Sequence, residues 1–160
     1  MNKNKALVAV AESDKVSFGF EPFSKQSVPQ NVFSAVYELH GQVNNGGFWQ
    51  YFANTSAETA CFVEEALRMI GANRTAEICR TAIEIAFPGG LPSLWSQIRE
   101  SATERRDQLS SQLNDLDCEF FQYPDDLTEL LYEFILKHPD EFGSPPFERT
   151  NFDAMQNTTT

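Results

Sequence analysis

The chain has 160 residues, 41% of them hydrophobic and 22% charged, the usage of a single globular domain with a packed core. It departs from the ordinary in sign: 23 acidic side chains stand against 12 basic ones, a formal net charge of −11. A surface of that charge repels nucleic acid and anionic membranes and attracts basic macromolecules, which argues against direct DNA or RNA binding.

Lys3 and Lys5 precede an apolar run, Ala6–Ala11, that is shorter than the hydrophobic stretch of a secretion leader. Residues 1–26 are therefore expected to form a loosely structured lead-in, with Val16, Phe18 and Phe20 alternating as a short extended piece. Pro22 argues against helix there. A helical domain is predicted over residues 27–142. It opens at Ser27 with Pro29 in a first turn, and Val32, Phe33, Val36, Tyr37 and Val43 recur on one helical face. Asn44-Asn45-Gly46-Gly47 should stop that helix, because Asn and Gly tolerate left-handed backbone.

A short aromatic helix, Phe48 to Phe52, is expected next. Phe48 and Phe52 form an i, i+4 pair suited to the core, which leaves Trp49 pointing away as a candidate surface contact. Further helices are predicted around Phe62–Ile70, ending at Gly71, and around Ala76–Phe87, ending at Pro88-Gly89-Gly90. A long one should run from Leu91 to Leu113, carrying Leu94, Ile98, Ala102, Leu109 and Leu113. The last, Asp126 to Lys137, carries Leu127, Leu130, Leu131, Phe134 and Ile135. No segment shows sustained period-2 alternation with hairpin signals, so the fold class is all-α. Residues 143–160 read as a tail with a mobile end, which Phe147 and Phe152 could dock onto the body.

The acidity is local. Residues 1–60 hold five acidic and four basic side chains, and residues 61–100 hold the same numbers. Residues 101–160 hold thirteen and four. Asp115, Asp117, Glu119, Asp125, Asp126, Glu129, Glu133, Asp140 and Glu141 make up the densest stretch, opposed within it only by Lys137. On the last helix Asp126, Glu129 and Glu133 fall within about 60° of one another, opposite the apolar stripe. Carboxylates at that spacing lie about 5–6 Å apart at Cβ, comparable with the spacing of phosphates along a nucleic-acid strand. Asp126 followed by Glu129 is also the pattern of a helix cap. Arg105 and Arg106 are close enough in sequence to neutralise part of the cluster.

Other patterns that resemble chemistry are incomplete. Asp115-x-Asp117-x-Glu119 opens like a calcium loop, but Phe120 stands where that loop needs glycine and Asp126 where it needs glutamate. His40 and His138 have no ligand partner at metal spacing, and the Gly-Gly pairs are followed by no phosphate-loop lysine. No catalytic residues, metal or cofactor are expected.

The run Gln42-Val43-Asn44-Asn45-Gly46-Gly47-Phe48-Trp49-Gln50-Tyr51-Phe52-Ala53-Asn54 resembles the N-G-G-F-x-Q-Y-F-x-N signature of a bacterial family of small helical domains that includes a DNA-mimic protein. Similarity continues at Ala66-Leu67, Ile70-Gly71-Ala72, Phe87-Pro88 and Leu113–Leu131. The resemblance implies an all-helical fold. For the mimic member it implies an acidic surface that occupies the DNA-binding site of a helix-turn-helix transcription regulator.

The nine acids from Asp115 to Glu141 are therefore the expected partner-binding residues, with a basic DNA-binding protein as the partner. A homodimer would be one way of completing the acidic face. The alternative expectation is a helical scaffold or immunity-type protein that binds through an apolar or aromatic surface around Trp49. A small-ligand binder, a third option, would need a pocket with converging polar groups.

Overall fold

The computed structural model describes residues 2–147, and the chain is all-helical, with no strand among them. Its spine is α2, Val28–Ala53. Ser27 caps its start by accepting from the Gln30 amide, and Pro29 occupies the first turn. The sequence pattern shows a single apolar face on this helix, yet Val32, Phe33, Ala35, Val36, Leu39 and Val43 are all buried. The reason is its position: α3, α5, α6, α7 and α8 all pack on α2. These are Val63–Met69, Trp95–Glu104, Arg106–Gln112, Asn114–Phe120 and Leu127–Leu136. The helix α4, Asn73–Ala86, closes the far side against α3, α6 and α7.

The predicted stop at Asn44–Gly47 is a kink inside α2. Gly46 (φ −157°, ψ 22°) and Gly47 (φ 74°, ψ −177°) leave helical geometry, and the helix resumes at Phe48. The long helix expected from Leu91 to Leu113 is instead two helices, α5 and α6, broken at Arg105. Leu94 lies ahead of α5 and is 60% exposed, contrary to its predicted place in the core. A helix that the periodicity did not show, α7, occupies the calcium-like stretch.

The N-terminal segment also differs from the expected lead-in. Residues Lys3–Ala11 form α1, capped by Asn2, and bury Ala6, Leu7, Ala9 and Val10. This helix packs on α8, so the short apolar run serves the core. Val16 is buried as well. The Gln30 side chain pins the strand-like piece around it, accepting from the Ser17 amide at 3.1 Å and donating to the Lys15 carbonyl at 2.7 Å. A four-residue helix, α9 (Pro139–Phe142), packs back on α8. Phe147 docks edge-on to Tyr132, with ring centroids 6.3 Å apart. Residues 148–160 of the predicted tail, Phe152 among them, lie outside the described residues. Of the three thiols only Cys79 is buried; Cys61 and Cys118 are exposed.

Candidate binding surface

The signature run builds the kink. Gly47 sits at positive φ, where a side chain is strained, and a Cβ there would lie 2.5 Å from Asp117 Oδ2. The bare backbone lets the Asp117 carboxylate reach the resumed helix and accept from the Phe48 amide at 2.8 Å. The start of a helix has unpaired N–H groups and positive polarity, so a carboxylate suits it. Gln50 and Asn54 both donate to Gln42 Oε1, each at 2.8 Å, which ties the segment after the kink to the segment before it. Phe48, Tyr51 and Phe52 are buried, with the Tyr51 hydroxyl 2.6 Å from Thr59 Oγ1 and Phe52 edge-on to Phe87. The motif is a structural device throughout.

Trp49, the candidate surface contact, is also tied to that device. It is half-buried, its Nε1 donates to the Ala102 carbonyl at 2.8 Å, and Arg106 lies 4.5 Å over its ring. Arg105 donates to the Ala86 carbonyl at 2.8 Å and stacks on Phe87. Both arginines expected to temper the acidic stretch are thus directed at α2, α4 and the residue after α4.

The nine acids separate into those used by the fold and those left at the surface. On α7, successive residues turn by about 100°, so Asp115 and Glu119 share one side and Asp117 lies on the other. The first two are exposed, while Asp117 is half-buried against the kink, where burial raises its carboxyl above the ordinary range and the Phe48 amide opposes the rise. Asp117 is therefore engaged by the fold at the kink. Asp125 is likewise committed: it accepts from the Thr75 amide at 2.8 Å and from the Thr75 hydroxyl at 2.9 Å, capping α4 from a distance in sequence. Asp126 caps α8 through the Glu129 amide at 3.0 Å, as its sequence pattern predicts, and its side remains exposed. Glu129 pairs with Lys3 of α1. Glu141 accepts from Gln30 Nε2 at 3.3 Å. Glu133 and Asp140 are exposed.

Two acidic groups result. Asp115 and Glu119 flank α7, with Glu119 bordering Arg74 and Glu77 of α4 in a shallow depression. Glu129 and Glu133 lie on α8, where both act on Lys3. The connector between α7 and α8 is held by an aromatic group. Tyr123, at φ 48°, donates its hydroxyl to Asn44 Oδ1 at 2.7 Å, and His40 meets Tyr123 and Phe120 at centroid distances of 6.2 and 6.5 Å. Burial holds His40 below its ordinary pKa, with Asp126 opposing in part.

Elsewhere, arginines balance the acids. Arg68 pairs with Glu64 and Glu77, and Arg80 with Glu77 and Glu84, which keeps those cations on α3 and α4. Among the described residues, no group of three or more His, Cys, Asp and Glu side chains is placed to hold a metal ion. None of the described helices is long and apolar enough to cross a membrane.

Fold and surface together define a small all-helical domain built on a glycine-kinked central helix, with its excess of acid on the C-terminal third. The chain belongs to the DMP19-like protein family, whose profile matches residues 24–138. That span includes the kink signature and seven of the nine acids, and leaves out α1 and α9. Neither a curated protein nor a solved structure matches the chain.

Proposed function

We propose that this protein acts by binding and not by catalysis, as an acidic mimic of DNA that competes for the nucleic-acid surface of a basic protein such as a helix-turn-helix transcription regulator. The observation that carries the reading is where the cations go. Arg68 and Arg80 are engaged on α3 and α4, while Arg105 and Arg106 turn to Ala86, Phe87 and Trp49. Among the described residues, the acids of the last third are thus left with one ion pair, Lys3–Glu129, and with Arg74 bordering Glu119. Like-charge crowding of this kind costs stability, and a basic partner relieves it. The resemblance of the Asn45–Asn54 run to a family that includes a DNA mimic supports the same partner class. The residues proposed to meet the partner are the exposed acids Asp115, Glu119, Asp126, Glu133 and Asp140. Asp117, Asp125, Glu129 and Glu141 serve mainly to hold α7, α8 and α9 in place.

The test is capture of basic proteins from a cell extract followed by competition with duplex DNA. Neutralising Asp115, Glu119, Glu133 and Asp140 together should weaken capture and flatten its salt dependence. Capture that ignores both salt and these substitutions would refute the reading and favour an apolar binding surface.

A further inference from the structure

A groove of about 550 Å³ lies on the face made by the loop before α2, the 3-10 turn Thr55–Thr59 and the start of α5. Its walls are apolar: Phe23 and Phe62, tilted rings 6.0 Å apart, stand with Trp95, Ile98, Pro22 and Pro92. Ile98 and Phe23 are buried at its base, and Trp95 is 37% exposed at its edge. The polar side chains of its lining are a carboxylate, an amide, a thiol and two hydroxyls. Glu58 uses Oε1 to accept from the Phe23 amide at 2.8 Å, and Asn31 lines the groove with a buried Oδ1 that has no donor among the described residues. Ser24 and Ser93 stand at the rim. Among the described residues, Glu58 is the sole charged one in the lining, and no Lys or Arg lines it.

We infer that this groove is a small-molecule site for a ligand with a flat apolar or aromatic body and a neutral or cationic N–H donor. Its volume falls within the roughly 300–1,000 Å³ of ligand sites, and its make-up, aromatic walls with a few converging polar groups, is theirs too. The charge pattern selects the head group. A carboxylate or phosphate would meet Glu58 with no compensating cation among the described lining residues, whereas an amine or amide N–H would find the Glu58 carboxylate. The groove uses residues outside the acidic region, so the inference stands apart from the proposed partner binding.

A matched pair of dyes tests it: N-phenyl-1-naphthylamine, neutral with one N–H, and its sulfonated counterpart 1-anilinonaphthalene-8-sulfonate. The neutral dye should bind the native chain about tenfold more tightly than the anion, and Glu58→Gln should narrow that gap. The exposed thiols locate the binding. Cys61 lines the groove and Cys118 lies on α7, so saturating neutral dye should slow iodoacetamide labelling of Cys61 while Cys118 reacts unchanged. Cys61→Phe, which fills the groove from an exposed position, should weaken the dye about tenfold with the helical spectrum intact. Failure of the neutral dye to bind, equal affinity for the two dyes, or labelling of both thiols slowed alike would overturn the assignment. Should Cys61→Phe not fold, the labelling of the native chain decides the matter.

Discussion

Gly47→Ala is the most severe single-atom test of the kink. Alanine must adopt φ 74°, ψ −177°, a region that is nearly glycine's alone, at a cost of about 1–3 kcal/mol. Its Cβ would also lie 2.5 Å from Asp117 Oδ2, so the carboxylate must withdraw from the Phe48 amide. A hydrogen bond to a charged group contributes about 1.5–3 kcal/mol. The combined loss is roughly 3–5 kcal/mol out of the 5–15 kcal/mol that stabilises a typical domain. At about 2–4 °C per kcal/mol for a chain of this size, the midpoint should fall by roughly 6–20 °C in a thermal melt followed by circular dichroism. Asp117→Ala loses the same hydrogen bond without the strain, and the double variant should cost less than the two single changes added, since the clash has already gone. Asp117→Asn keeps an acceptor for Phe48 and removes a half-buried charge, so it should be nearly neutral in stability. A Gly47→Ala loss below about 1 kcal/mol, or strict additivity with Asp117→Ala, would refute the account of the kink.

Asp125→Ala should lower stability by about 1–2 kcal/mol in urea unfolding, because it removes the two bonds that cap α4 at Thr75. Neutralising any one of Asp115, Glu119, Glu133 or Asp140 should leave stability within about 0.5 kcal/mol, so a change in capture by those variants reads binding and not folding. Trp49→Phe should cost about 1 kcal/mol through loss of the bond to the Ala102 carbonyl, without changing the salt dependence of capture. His40 is neutral over a wider range folded than unfolded, since burial holds its pKa below the ordinary 6.5. As pH falls from 6.5 toward that lowered value the unfolded chain takes up a proton the folded chain refuses, so stability should drop there. His40→Gln should flatten the slope, as read from urea midpoints across the window.

The expected core of α8 shows how far a local pattern reaches. Leu127, Leu131 and Ile135 recur at helical spacing and are buried, and Asp126 caps the helix as its neighbour Glu129 suggested. The all-helical class, the break at Gly46-Gly47 and the core roles of Phe48 and Phe52 follow from the same short-range rules: periodicity, turn chemistry and capping act over a few residues, and the sequence displays them directly. The net charge and its concentration in the last third are also properties of the sequence alone.

What each acid does is not. Asp117 reaches Phe48 across 69 positions, Asp125 reaches Thr75 across 50, and Glu129 meets Lys3 across 126. No periodicity links residues so far apart, because their meeting depends on how the helices assemble around α2. The same holds for Trp49 and Arg106, whose contact needs α6 laid against the second half of α2. The quantity of acid was legible from the composition. Only the tertiary structure divided it into the carboxylates that hold the helices together and those left exposed at the surface.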